Sequence, residues 1–234
     1  MFALLDRYYL HATREQFDAD LSEKEWVLLA TERTADRVCG FTTLMRLHTT
    51  IDGTPIGAFY SGDTVTESTY WAHEETSLAV GLLLRHMLEI VEEDIDHRWY
   101  WFLISSTYRS YRLLPMVFRE FHPSPHCPTP PHVTRTLEAV VREKFGGGYD
   151  ARASVVRFPN PTVFRPGFDS HVQARDDCWE GFFRRANPGH GRGDRLASLT
   201  ALSPDNLTPL GRRLLDRSAD RPALVSTPDA GVPS

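Results

Sequence analysis

The sequence has few cysteines, no long apolar run and no excess of positive charge. Its 234 residues include three cysteines, Cys39, Cys127 and Cys178. They are too few and too scattered for a disulfide framework, so we expect a reducing compartment. No apolar run approaches the ~20 residues of a membrane span, and residues 1–10 lack the layout of a secretory signal. We therefore expect a cytoplasmic protein without membrane segments.

The charge distribution argues against nucleic acid as a partner. The formal net charge is -5. Residues 1–100 carry 18 acidic and 8 basic side chains, a balance of -10, and residues 101–234 carry 13 and 18, a balance of +5. A nucleic-acid binder needs a concentrated basic face. The second half could hold an anionic ligand, although two ordinary halves explain the same split.

No Ser-His-Asp or Cys-His arrangement of a nucleophilic enzyme stands out, so the fold has to be read from hydrophobic patterning. Residues 99–104 are a continuous run of bulky side chains, which predicts a central strand buried on both faces. Between residues 78 and 95 the apolar side chains recur every three or four positions, the spacing of one helical face. A strand at 56–60, this helix and the strand at 99–104 predict a crossover between parallel strands.

Shorter patterns predict the rest of the fold. Residues 2–21 read as helical, and strands are expected at 26–30 and 38–50, followed by a hairpin turn at Asp52-Gly53. After a helix at 107–121 that Pro115 should kink or end, residues 122–131 form a proline-rich connector. Later elements are helices at 132–145 and 176–186, strands at 154–158 and 196–202, and a helix ending near residue 217.

We predict a single α/β domain over residues 1–217 and a disordered tail over 218–234. The domain comprises a core at 1–125, the connector, and C-terminal strands and helices at 132–217. Its expected fold is a mixed sheet, mostly antiparallel with one central parallel pair, with helices on both faces and a C-terminal helical extension.

Polar side chains follow the two strands predicted to be parallel, at the point where each strand ends. Ligands of parallel sheets bind beyond the carboxyl ends of the strands. We expect a site for a small-molecule substrate there, an apolar floor rimmed by polar groups. Its candidate residues are Tyr60, Ser61, Asp63, Ser105, Ser106, Tyr108, Arg109 and Tyr111.

The predicted order of elements resembles the GCN5-related N-acetyltransferase (GNAT) fold. The resemblance covers roughly the first 125 residues and is carried by segments 26–30, 38–41, 58–62 and 101–111 and by the helix after His73. It implies an acyltransferase whose thioester cofactor lies between two splayed strands. It also implies that a tyrosine on the helix after the second strand, here Tyr108 or Tyr111, protonates the leaving thiolate.

The remaining roles follow from the chemistry of such a transfer. Asp63 is the candidate base, because an amine must lose a proton when it attacks a carbonyl. The cofactor-binding candidates are Tyr60, Ser61, Ser105, Ser106 and Arg109. Several of these residues also have a structural interpretation: Asp63 as a turn carboxylate, Ser105 and Ser106 as caps of the next helix, Arg109 as part of a solvated helix face, and the two tyrosines as core side chains.

The segment expected to grip the phosphates departs from the family pattern. Residues 69–76 contain no glycine, arginine or lysine and include Glu74 and Glu75. A pyrophosphate grip normally uses spaced glycines at a helix N-terminus. We therefore expect acyl-CoA or an acyl-carrier-protein thioester as donor and a small-molecule amine as acceptor. The alternative is a non-catalytic protein of the same fold that binds a small molecule or a partner protein.

Overall fold

The computed structural model describes residues 1–32, 37–71, 74–166 and 178–219, with only the backbone for residues 74–76. Its helices, in chain order, are α1 (Phe2–Tyr8), α2 (Arg14–Ser22), α3 (Glu74–Glu93), α4 (Tyr108–Tyr111), α5 (Leu113–Val117), α6 (Pro131–Phe145), α7 (Cys178–Ala186) and α8 (Pro209–Ser218). Its strands are β1 (Tyr9–Leu10), β2 (Trp26–Glu32), β3 (Arg37–Ile51), β4 (Thr54–Thr66), β5 (Arg98–Ser105), β6 (Tyr149–Asp150), β7 (Val155–Val156), β8 (Val163–Phe164) and β9 (Arg195–Ala201).

A mixed sheet of seven strands, in the order β2-β3-β4-β5-β9-β7-β6, forms the centre of the fold. Its neighbouring strands are antiparallel except for β4 and β5, which pair in parallel. Helix α3 returns the chain from the end of β4 to the start of β5, as a parallel connection requires. The prediction of an α/β fold with one central parallel pair in a mostly antiparallel sheet is confirmed.

Strand β5 is central because both of its faces are covered. Trp101 and Phe102 are adjacent in sequence, point to opposite faces and are 1% and 0% exposed. On one face Trp101 packs with side chains of α3, α5 and α8, including Leu84, Met87, Leu114 and Leu214. On the other face Phe102 packs with α6, including Leu137 and Val140. We call these the α3 face and the α6 face.

The β3–β4 hairpin follows the predicted turn. Asp52 and Gly53 have φ of 50° and 78°, the left-handed conformations that a tight hairpin turn needs. The helix predicted at 107–121 is shorter than expected and breaks before Pro115, between α4 and α5. Pro115 has no N–H to donate to the carbonyl of Tyr111, so the first helical segment ends there.

Two predicted segments, residues 2–21 and 154–158, differ in detail from the structure. Residues 2–21 are two helices separated by β1, which pairs with β8 in a separate two-stranded sheet. The strand predicted at 154–158 is only β7, and β6 was not predicted. Strands of two residues carry no periodic signal of their own, because partners distant in sequence create them.

The predicted tail at 218–234 lies almost entirely outside the described residues. The last helix runs through Ser218, whose carbonyl accepts a hydrogen bond from Arg85 of α3. Residues 176 and 177 of another predicted helix also lie outside the described part, and α7 covers the remainder. Within the described residues no helix is long and apolar enough to cross a membrane.

Candidate functional site

The two parallel strands stop pairing before either of them ends. Their ladder runs from Ile56↔Arg98 to Ser61↔Leu103. Beyond that point β4 continues beside β3 as far as Thr66, and β5 continues beside β9 as far as Ser105. The sheet therefore opens between residues 62–66 and residues 104–105, at the carboxyl ends of the strands. We call this opening the cleft.

A β-bulge in β4 accompanies the opening. Leu44 pairs with Ser61 and Thr42 with Thr64, so Gly62 and Asp63 together oppose the single residue Thr43. A bulge bends its strand and increases the local twist. The bulge thus lies where the pairing of β4 with β5 stops, and Asp63 belongs to the bulge itself.

The candidate serines lie beside the cleft in different hydrogen-bonding states. Ser61 is buried, and its Oγ accepts a hydrogen bond of 2.7 Å from Trp101 Nε1. Ser105 is 0% exposed, and its Oγ has no partner among the described residues. The cap of α4 is Thr107, whose Oγ1 accepts from the N–H of Ser110, rather than Ser105 or the buried Ser106. The alternative interpretation of the two serines as helix caps is therefore wrong.

The two candidate tyrosines are core side chains on the α3 face. Tyr111 is fully buried, and its hydroxyl donates a hydrogen bond of 2.9 Å to the carbonyl of Pro123. Burial raises the pKa of the Tyr111 phenol well above its ordinary value. Tyr108 is also buried and packs against Phe183. A catalytic role for either tyrosine stays a prediction.

Arg109 contacts Trp71, which belongs to the segment where the phosphate grip was expected. Its guanidinium carbon is 3.7 Å from the ring centroid of Trp71, a cation–π contact. Trp71 lies three residues before Glu74, the first residue of α3. Arg109 therefore brings a cation to Trp71, within a segment (residues 69–76) that contains none of its own.

Tyr60 and Asp63 belong to the α6 face instead. Tyr60 packs against Phe102 and Phe145 of that face. Asp63 is partly buried and interacts electrostatically with Arg195 and Lys24. Burial raises the pKa of the Asp63 carboxyl, and the charges of Arg195 and Lys24 only partly oppose the shift. Burial likewise raises the pKa of the Tyr60 phenol.

Two basic residues of this group were missed by sequence reasoning. Lys24 follows α2, and its ammonium lies 5.5 Å from the ring centroid of Tyr60. Arg195 begins β9, and its Nη2 donates a hydrogen bond of 2.6 Å to Thr162 Oγ1. Lys24 stands between two glutamates in a turn, a pattern typical of solvent-exposed charge. No local signal places either residue at the cleft, because tertiary packing brings them there.

The structure thus divides the predicted site between the two faces of the sheet. Ser61, Ser105, Tyr108 and Tyr111 border the α3 face, whereas Tyr60 and Asp63 border the α6 face with Lys24 and Arg195. Strand alternation separates neighbouring residues such as Tyr60 and Ser61 in this way. Both groups include residues that border the cleft, where β4 and β5 no longer pair.

Two surface cavities lie away from the candidate residues. One, of about 510 Å³, is lined by Tyr100, His122, His132 and Asn206 at the other end of β5. The other, of about 370 Å³, borders the proline-rich connector at His126. None of the candidate residues lines either cavity. In the described parts of the chain no group of three or more His, Cys, Asp or Glu side chains could hold a metal ion.

No protein-family model matches this chain, and no curated protein is significantly similar to it in sequence.

Proposed function

We propose that this protein is a GNAT-like acyltransferase that moves an acyl group from a thioester to the amine of a small molecule. The observation that carries the proposal is the cleft, where a parallel strand pair opens while both strands continue in the sheet. The insertion of the last strand, β9, between β5 and β7 also supports a GNAT-like order. Helices α6 to α8 are then additions to that core, the last of them a C-terminal extension.

The cleft suits an extended donor that carries amides. Beyond Ser61 and Leu103, the facing edges of β4 and β5 have no strand partner among the described residues. Unpaired strand edges bind extended chains through main-chain hydrogen bonds. The unpartnered, fully buried Ser105 Oγ adds a side-chain group that could bond to such a donor. These groups fit the amide-containing arm that CoA and acyl carrier protein share.

The donor's phosphate end distinguishes two sources. Arg109 supplies a cation beside Trp71 that could pair with a phosphate, but the negative charges of Glu74 and Glu75, which follow closely in the sequence, would repel the pyrophosphate of CoA. A carrier-protein thioester has no such pyrophosphate. Since Arg109 favours a phosphate-bearing donor and the two glutamates disfavour a pyrophosphate, we propose acyl-CoA and acyl-carrier-protein thioesters together as the donor class.

Asp63 is the proposed base. A carboxylate whose pKa is raised by burial is a stronger base than an exposed one, and it takes the proton that the amine loses on attack. The resemblance assigns the proton donor to Tyr108 or Tyr111. The Tyr111 hydroxyl already donates to the Pro123 carbonyl, so the assignment requires this bond to break during the reaction.

A non-catalytic binding protein with the same cleft is the second candidate. It is favoured by the absence of glycine in residues 69–76 and by the structural role of the Tyr111 hydroxyl. Such a protein binds a ligand in the cleft without turning it over.

Calorimetry and a thiol-release assay test the two functions. Acetyl-CoA, octanoyl-CoA and an octanoyl acyl carrier protein are titrated first, and thiol release is then followed with a panel of primary amines. We expect binding of at least one thioester and amine-dependent release, which Asp63→Asn lowers by ~100-fold. Asp52→Asn, in the exposed β3–β4 turn, is the control and should keep the wild-type rate.

The outcomes separate the candidates. Binding without turnover by the wild type favours the non-catalytic protein. If no thioester binds, the acyltransferase proposal is wrong.

A further inference from the structure

Lys24 is a buried lysine at the cleft with incomplete charge compensation. Its side chain is 4% exposed, whereas lysine is almost never fully buried unless it is paired. Among the described residues the carboxylate oxygen nearest to its Nζ is on Glu23, at 3.7 Å, which is longer than a charge-assisted hydrogen bond. The Glu23 carboxylate also forms an ion pair with Lys144 of α6, which is the closer of the two lysines.

The bulge of β4 is built around the stem of this lysine. A Cβ added to Gly62 would lie 2.6 Å from Thr43 Oγ1 and 2.8 Å from Lys24 Cε. Any other residue at position 62 would therefore displace Lys24. Gly62 precedes Asp63 directly, so the bulge that carries the proposed base also makes room for the lysine.

The environment moves the pKa values of the Lys24 ammonium and the Asp63 carboxyl toward each other. Burial lowers the pKa of the Lys24 ammonium, and the positive charge of Lys144 acts in the same direction. The carboxylates of Glu23, Asp20 and Asp63 oppose the shift. Burial raises the pKa of the Asp63 carboxyl. Titratable pairs shifted in this way are the usual acid and base of an active site.

We propose that Lys24 is the proton donor to the thiolate that leaves in the acyl-transfer reaction, an inference that rests on the proposed function. The amine nitrogen attacks the acyl carbon, and the C–S bond breaks with its electron pair on sulfur. Lys24 Nζ gives a proton to that sulfur, and the amine gives one to the Asp63 carboxylate. The products are an amide and a free thiol, and a proton passing from Asp63 to Lys24 through solvent restores both groups.

Lys24 suits this step better than the two tyrosines. The step needs a donor whose pKa is near that of a thiol, about 8.5. Burial moves the pKa of Lys24 down toward that value and the pKa of Tyr111 up and away from it. Lys24 also lies on the α6 face with Asp63, whereas Tyr108 and Tyr111 lie on the α3 face.

A leaving-group comparison tests the role. The same acyl group is supplied as an N-acetylcysteamine thioester, whose alkyl thiolate needs a proton to leave, and as a thiophenyl thioester, whose aryl thiolate leaves without one. We call these two thioesters the alkyl ester and the aryl ester. We expect Lys24→Met to lower the rate about 100-fold on the alkyl ester and less than about 5-fold on the aryl ester. Lys24→Arg keeps the charge but holds its proton too tightly, so it should show the same pattern.

Lys144→Arg is the matched control for Lys24→Arg, because it makes the same substitution in the neighbouring lysine while keeping the positive charge beside Glu23 and Lys24. It should lower both rates equally or leave them unchanged. If Lys24→Met does not fold, the wild type answers the question: its rate on the alkyl ester alone should fall above the pH at which Lys24 loses its proton.

Each contrary result has a distinct meaning. Equal losses on both esters in Lys24→Met, or recovery of the alkyl rate in Lys24→Arg, overturn the proton-donor role. A selective alkyl loss in Tyr108→Phe with none in Lys24→Met assigns the role to Tyr108 instead. A wild type inactive on every thioester rejects the acyltransferase proposal itself.

Discussion

Two buried serines beside the cleft differ in whether their hydroxyls have a partner. Ser61 Oγ accepts from Trp101 Nε1, and Ser105 Oγ has no partner in the described structure. Ser61→Ala leaves a buried indole N–H without an acceptor, so it should lower the free energy of unfolding by about 1–3 kcal/mol. Ser105→Ala removes a buried hydroxyl without a partner among the described residues, so it should not lower the free energy of unfolding.

Urea unfolding of the two variants checks this prediction, and thioester titration extends it. If Ser105 binds the donor, Ser105→Ala weakens thioester binding while stability is unchanged. An equal loss of stability in both variants would show that Ser105 has a structural partner, and it would then be removed from the candidate site.

The Asp63 carboxyl should make stability depend on pH in a defined direction. Its pKa is raised in the folded protein, so the folded state keeps the proton to a higher pH than the unfolded chain does. The free energy of unfolding therefore falls as the pH rises from the ordinary pKa of about 3.9 through the raised value. Asp63→Asn does not titrate and avoids this loss.

Urea midpoints of the wild type and Asp63→Asn, measured across this range, check the sign. Relative to the wild type, the variant should gain most near neutral pH, and the gain should disappear below about pH 4. A variant that is less stable than the wild type near neutral pH would mean that the carboxylate is stabilised by Arg195 and Lys24, as in an ordinary ion pair.

At the scale of elements, the α3–α8 contact depends on a glycine. A Cβ on Gly81 of α3 would lie 2.2 Å from the carbonyl oxygen of Leu214 in α8. Backbone cannot yield as a flexible side chain can. Gly81→Ala gains about 1 kcal/mol of helix propensity but forces the helices apart, an overpacking that costs about 1–3 kcal/mol.

Gly181→Ala in α7 is the control, because among the described residues a Cβ there would meet only the flexible Arg185 side chain, at 3.2 Å. We expect a higher unfolding midpoint for Gly181→Ala and a lower one for Gly81→Ala. Equal stabilisation in both variants would show that α8 is not held against α3 as described.

At the scale of the whole molecule, the cleft joins distant parts of the chain. Lys24 comes from the acidic first half, Asp63 from the bulge of β4, and Arg195 from the basic second half. The charge asymmetry of the sequence therefore does not predict an anion site in one half. Charges of opposite sign instead meet at the cleft, where basic side chains from both halves interact with the Asp63 carboxylate.

The sequence by itself determined the central architecture, because local patterns decide it. The uninterrupted run at residues 99–104 must be buried on both faces, and the helix before it has only one apolar face, so a crossover and a parallel pair follow. Asp52-Gly53 determined the hairpin for a similarly local reason, its left-handed backbone. The place of the cleft, at the ends of β4 and β5, follows from the same reasoning.

The tertiary structure alone decided which side chains meet at that place. The bulge at Gly62 and Asp63 depends on the register of β4 against β3, and the two-residue strands depend on partners far away in the chain. Burial of Lys24 needs Tyr60, Gly62 and Met45 packed around it. The lowered pKa of Lys24 results from that packing, so no local sequence pattern could predict it.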